Sequence, residues 1–314
     1  MPDRTNPAPV RLGVIGLGDF GQEHLRAAMT VPELAVVSVA DVMGLRAAET
    51  AAALDIPAWY SNPQHLLEAG DIDGVIVATP AGSHLELTRR AVELGIAVLL
   101  EKPIIDRLEH SLEMQHCAQQ GIVVPAHILR FMDPYRALHE ELISEGAPGV
   151  GGLSAHRHRS HDHILRFPEH DPILMTMIHD IDQAIWLMGS RAVTVSAKSS
   201  SVRGGPRPDL VVATVRDDQD RVWELAASWL LNEERIADWL EVYTDGGIRV
   251  ASPDERMSSR AGLKAEISHF SDCVKQSRPS EVISMDDAIH GIEIAFAINE
   301  SAASGGKEVS LNGN

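Results

Sequence analysis

Only two cysteines, Cys117 and Cys273, occur in 314 residues, too few for a disulfide scaffold. Basic residues are scarce as well: 27 Lys and Arg stand against 45 Asp and Glu, a formal net charge of −18. Nucleic acid and anionic membrane both call for clustered cations to neutralise phosphates, so neither is expected as a partner. No apolar run approaches the ~20 residues that span a bilayer. The opening MPDRTNPAPV holds no apolar core of a secretory signal, so a cytoplasmic location is expected. Internal repeats and low-complexity tracts are missing too. What is present is ordinary for a globular chain: 44% apolar and 23% charged residues supply a sizeable core. The length suggests two domains.

Residues 1–9 carry three prolines and read as a loose tail. From 10 to 127 short apolar runs alternate with helical patterns. The strand candidates are VRLGVIG (10–16), LAVVSVAD (34–41), GVIVATP (74–80), IAVLLEKP (96–103) and IVVPAH (122–127). Near-continuous apolar runs suit parallel strands buried on both faces. Helical stretches lie between them, so the alternation predicts an α/β domain with a doubly wound parallel sheet of Rossmann type. From 128 to 314 the pattern changes. LSAHRHRS (153–160) is followed by a helix over 172–188 and by alternating segments at 192–200, 210–217, 222–230 and 238–244. Asp245-Gly246-Gly247 then favours a hairpin into 248–252. With helices over 261–276 and 285–303, this half reads as an α+β domain with an open, mostly antiparallel sheet.

Gly16-Leu17-Gly18-Asp19-Phe20-Gly21 is a G-x-G-x-x-G that closes one strand and opens a helix, and Asp41 ends the next strand. In that context the string predicts a dinucleotide site. Gly16 permits a tight turn, Gly18 lets backbone approach a pyrophosphate, and Gly21 lets helix pack on strand. The helix N-terminus offers oriented N–H donors to the anion. The Asp41 carboxylate accepts ribose hydroxyls and repels a 2′-phosphate, and Arg46 is the one nearby base. NAD is therefore expected in preference to NADP.

Three further motifs follow in order: Ala78-Thr79-Pro80 with His84, Glu101-Lys102-Pro103, and His179-Asp180-Ile181-Asp182. With the glycine string and the closing helix from Met285 they make the chain similar to the glucose–fructose oxidoreductase/inositol dehydrogenase (Gfo/Idh/MocA) family, from about residue 10 to 311. The resemblance implies an NAD(P)-dependent dehydrogenase acting on a secondary alcohol of a sugar or cyclitol. Its implied catalytic residues are Lys102 and His179, with Thr79, Pro80, His84 and Glu101 on the nicotinamide side. Chemistry agrees with this assignment: alcohol oxidation removes a hydride and a proton, so a base must reach the hydroxyl. Taken singly, Lys102 also reads as a surface lysine and His179 as a histidine bonded to backbone. A nucleotide-sugar dehydrogenase, served by Arg157 and Arg159, is an alternative, as is a non-catalytic NAD(H)-binding sensor.

One position departs from the family pattern. Where the family often has an aspartate four residues before the histidine, this chain has Met175, which carries no proton. Either Lys102 and His179 suffice, another group substitutes, or the chemical step is lost. Asp171, before Pro172, reads as a helix N-cap.

The run His156-Arg157-His158-Arg159-Ser160-His161-Asp162-His163 invites a metal reading, but no cysteine or HExxH spacing accompanies it. No metal is expected. The resemblance suggests His158 as a substrate contact. Arg130 is a second candidate, its alternative being an ion pair, and Tyr243 a third. Trp186, Trp223, Trp229 and Trp239 read as core or interface. Late strands such as VWELAASWL are apolar on both alternating faces, which implies a homodimer or homotetramer.

Overall fold

The computed structural model describes residues 8–144, 149–167, 170–232, 236–251 and 255–311. Most of the expected N-terminal tail lies outside the described residues. Two compact units emerge: Met1–Ile128 with Arg260–Asp286, and Leu129–Ser259 with Asp287–Asn314.

In the first unit β1 (Val10–Ile15), α1 (Asp19–Ala28), β2 (Leu34–Ala40), α2 (Gly44–Ala53), β3 (Ala58–Tyr60) and α3 (Pro63–Glu68) come first. Then follow β4 (Gly74–Val77), α4 (His84–Glu93), β5 (Ala97–Glu101), α5 (Ser111–Gln120) and β6 (Val123–Ala126). The sheet order is β3-β2-β1-β4-β5-β6 and every pairing is parallel. Chain order reverses between β1 and β4, the switch point beside which such sheets bind ligands at the strands' C-terminal ends. The β4 strand is buried throughout and β5 nearly so, as strands covered on both faces must be. The sequence reading passes over β3. Its three residues, Ala58-Trp59-Tyr60, form a partly exposed edge too short to show a period.

The second unit begins with α6 (Asp133–Ser144), β7 (Gly152–Ser160) and α7 (His163–Arg166). A π-helical turn (Ile173–Met177) leads into α8 (Ile178–Met188), then β8 (Ala192–Ser200), β9 (Leu210–Asp217), β10 (Val222–Leu231), β11 (Ala237–Thr244) and β12 (Gly247–Ala251). Two long helices, α9 (Glu255–Gln276) and α10 (Met285–Ala303), precede the short β13 (Val309–Ser310). The sheet order is β12-β11-β7-β10-β9-β8-β13, antiparallel except for β7 with β10. One face packs on helices through Leu153, Trp223, Leu225, Trp229, Leu240 and Val242, all buried. The other presents Val212, Val222, Trp239, Tyr243, Ile248 and Val250, 37% to 57% exposed.

The sequence reading gives all of 128–314 to the second domain, and here the structure differs. Leu263, Ile267, Phe270 and Cys273 of α9 enter the core of the first unit with Leu12, Val14 and Leu99. The Phe270 ring rests on Gly74 of β4, where a Cβ would stand 3.0 Å from it. An apolar helical stripe shows that α9 buries one face; it does not show which sheet receives it.

Candidate active site

The dinucleotide loop is set by steric limits. Gly16 has φ +88°, and a Cβ there would lie 2.5 Å from the Ala78 carbonyl oxygen. A Cβ on Gly21 would lie 1.8 Å from the Gly16 oxygen. Above Gly18, by contrast, an added Cβ meets nothing within 4 Å. Gly18 is also the N-cap of α1, and no side chain caps that end. Open space over bare helix N–H groups is what a pyrophosphate needs. The residues thus fit a dinucleotide: Gly16, Gly18, Asp19, Phe20 and Gly21 would hold the phosphates and Asp41 the adenosine ribose.

Asp41 is 5% exposed. One carboxylate oxygen accepts from Leu17 N at 2.8 Å and Arg46 Nη1 at 3.1 Å, the other from Met43 N at 2.8 Å. The acid therefore braces the glycine loop against the start of α2. Arg46 reaches back from α2, a contact the sequence left open.

At the end of β5 the Glu101-Lys102-Pro103 turn is held from both sides. Glu101 Oε1 lies 2.6 Å from His24 Nε2, and Oε2 accepts the Lys102 amide at 2.9 Å. Burial alone would raise the Glu101 carboxyl, but the hydrogen bond from His24 and the nearby Lys102 charge hold it below the usual range. The Lys102 Nζ sits 5.0 Å from the Phe20 ring centroid. Because Phe20 belongs to the glycine loop, this contact sets the ammonium beside the cofactor cradle. Thr79 Oγ1 accepts from Ser83 at 2.8 Å, and Pro80 lies exposed at the mouth of the next turn.

His84, which the resemblance sets on the nicotinamide side, is a fully buried staple between two turns. Its Nδ1 lies 3.0 Å from the Pro103 oxygen and its Nε2 2.8 Å from the Thr79 oxygen, joining the two turns. Burial pushes its pKa down, although both carbonyls and the Glu101 charge favour the proton.

In the second unit His179 is half-buried near the start of α8, and Met175 is half-buried in the π-helical turn before it. Asp171 accepts from the amides of Ile173 at 2.8 Å and Leu174 at 3.3 Å, the capping role read from its place before Pro172. Two aspartates that sequence reasoning did not use anchor α8. Asp180 takes Arg157 of β7 at 2.8 and 3.0 Å, and Asp182 takes Arg130 at 2.8 to 3.1 Å. Acids on an apolar helix were the available signal, since buried carboxylates demand partners.

Three substrate contacts expected from sequence are placed otherwise. Arg130 is 2% exposed, and its guanidinium is engaged by Asp182 and by Asp287 at 3.2 Å. It is an internal ion pair. His158 alternates with Arg157, so it points to the sheet face opposite α8, where its Nδ1 meets Ser228 Oγ at 2.8 Å. Tyr243 lies on that same open face at the far end of β7, beside Gly152. Arg157 and Arg159, the pair suggested for a diphosphate, both bind Asp238. In the histidine run His156 bonds Ser154 at 3.3 Å, and its ring centroid stands 6.2 Å from that of His158.

The first unit therefore has the sheet and glycine loop of a dinucleotide-binding domain, with a lysine at the C-terminal end of β5. Residues 10–125 match the family model described as oxidoreductase family, NAD-binding Rossmann fold, and residues 156–249 match the GFO/IDH/MocA C-terminal domain. The chain belongs to the Gfo/Idh/MocA oxidoreductase family, and NAD is its cofactor. It is 31% identical over 203 residues to inositol 2-dehydrogenase 2 of Saccharopolyspora erythraea, a match covering 64% of this chain and 60% of that protein. With scyllo-inositol 2-dehydrogenase (NAD(+)) of Bacillus subtilis it shares 24% identity over 327 residues, 94% of this chain and 95% of the other. The fold matches apo scyllo-inositol dehydrogenase from Lactobacillus casei with a TM-score of 0.89 at 19% identity, covering 98% of this chain and 99% of that one. No helix among the described residues is long and apolar enough to cross a membrane.

Proposed function

We propose that this chain oxidises a secondary alcohol of a cyclitol, or of a sugar of similar size, with NAD. The observation that carries the reading is Lys102, at the C-terminal end of β5, with its Nζ 5.0 Å from the ring of Phe20 in the glycine loop. The names of the similar enzymes point to inositols. When bound, the dinucleotide supplies the hydride acceptor. Lys102 accepts or anchors the hydroxyl proton, and an ammonium beside a positive nicotinamide is disfavoured, which suits it to a basic role. His179 passes the proton on, as imidazoles do near neutral pH. Met175 carries no proton, so Lys102 and His179 do this work without the aspartate that the family resemblance leads one to expect at that position.

The exposed apolar face around Val212, Trp239, Ile248 and Val250 supports a homodimer or homotetramer. Two buried free thiols fit a reducing, cytoplasmic compartment.

The test is NADH formation by purified protein with NAD⁺ across inositols, aldoses, sugar acids and nucleotide hexosamines, repeated with Lys102→Met. Turnover on a cyclitol or sugar, lost in the variant while NADH still binds, is the expected result. Turnover retained by Lys102→Met overturns the lysine's role. Silence over the whole panel with NADH binding intact favours a sensor.

A further inference from the structure

The Glu101-Lys102-Pro103 turn is gripped at three consecutive residues. His84 holds the Pro103 carbonyl at 3.0 Å, Phe20 lies beneath the Lys102 Nζ, and His24 holds Glu101 at 2.6 Å. Two of these three come from α1, one helical turn apart. The helix whose N-terminus faces the cofactor is thus the helix that fixes the lysine's strand end.

His24 is 1% exposed. An ionised carboxylate is acceptor-only, so the ring carries its hydrogen on Nε2 and donates it to Glu101. Its Nδ1 is buried and meets no hydrogen-bond partner among the described residues. An imidazole with one nitrogen unsatisfied is a costly way to fill space, and leucine would pack there without that cost. The ring's polar chemistry is directed at one atom, Oε1 of Glu101. The second oxygen of that carboxylate holds the Lys102 amide.

We propose that His24 is a positioning residue for Lys102: its Nε2–H orients the Glu101 carboxylate, which fixes the Lys102 backbone so that the side chain lies on Phe20. This rests on the reading of Lys102 as the reactive lysine, but the geometry is testable without turnover. Lys102 is 9% exposed, whereas Lys198, Lys264, Lys275 and Lys307 are exposed and serve as internal references.

The experiment measures acetylation of each lysine by acetic anhydride, read by peptide mass spectrometry, in the full-length protein and in His24→Gln, His24→Asn and His24→Leu. Gln sets an amide N–H where Nε2 stands; Asn falls short of it, and Leu keeps the volume without the bond. Losing one hydrogen bond of ordinary strength corresponds to about a fivefold change. Acetylation of Lys102 relative to the four references should rise by about that factor in Asn and Leu and stay at the parent rate in Gln. In the same order kcat should fall in Asn and Leu with the KM for NAD unchanged, and recover in Gln. Melting curves identify any variant that is not folded, and the Gln–Asn comparison stands if Leu is lost. Equal Lys102 labelling in Gln and Asn overturns the proposal, as does parent-like labelling in all three. Turnover retained by Lys102→Met removes the functional reading and leaves the labelling result intact.

Discussion

Arg130 grips Asp182 through Nε and Nη2 at 2.8 to 3.1 Å, and both side chains are only 2% exposed. Removing one member of such a pair strands the other charge in the interior. Arg130→Met should therefore cost about 3–5 kcal/mol of stability, read by urea denaturation. Replacing both, as Arg130→Met with Asp182→Leu, should recover most of the loss, because well-packed apolar groups often match a buried ion pair. A substrate-binding arginine behaves differently: its loss raises KM and leaves stability alone. Parent-like stability of Arg130→Met would restore that reading.

The same pair shows where sequence reading stops. Arg130 lies 52 residues from Asp182 and 157 from Asp287, and no local pattern links them. What was legible is what repeats locally. The parallel strands announce themselves as apolar runs, and the glycine loop as a string in the right context. Alternation along β7 divides His156 and His158 from Arg157 and Arg159, yet it is silent on which face α8 covers. That choice depends on Asp180 meeting Arg157. For the same reason the α9 stripe was visible while its place in the first unit, over Gly74, was not. His24 escaped because its meaning depends on Glu101, a contact made across the fold.

Gly18 and Gly21 should separate fold from cofactor. A methyl group on Gly21 would lie 1.8 Å from the Gly16 oxygen, a backbone atom that cannot step aside. Gly21→Ala should cost about 3 kcal/mol or more of stability. Gly18 has φ −68° and open space above it, so alanine fits the free protein. Gly18→Ala should stay within about 0.5 kcal/mol of the parent in stability. It should still weaken NADH binding by about tenfold or more, because the methyl enters the space the pyrophosphate takes. Fluorescence titration with NADH checks it, and unchanged affinity would place the phosphates elsewhere.

Besides two backbone amides, Asp41 holds a basic partner, Arg46, at 3.1 Å. Asp41→Asn keeps an acceptor for the Leu17 amide but removes the charge that opposes a 2′-phosphate, leaving Arg46 to favour one. The ratio of kcat/KM for NAD over NADP should drop by about tenfold or more, the scale of one charge-assisted hydrogen bond. Steady-state rates with both cofactors measure it. An unchanged ratio would show that Asp41 serves the loop alone.

His84 should leave a mark on the pH dependence of stability. Its ring is fully buried between the Thr79 and Pro103 carbonyls. Burial holds its pKa below the ordinary 6.5. As pH falls below about 6.5, the unfolded chain takes up a proton that the folded chain refuses. The stability from this residue is therefore complete above that pH and drains away as pH falls through the folded-state value. His139, His158 and His269 are shifted the same way by burial and add to the slope in any variant that keeps them. The informative quantity is thus a difference. His84→Gln should melt lower than the parent at neutral pH, because a flexible amide gives up the packing of the buried ring between the two turns. Its Tm should also decline less steeply between about pH 7 and pH 5. Parallel curves for the two proteins would show that the folded chain binds the His84 proton as readily as the unfolded one, and that the staple is held as imidazolium.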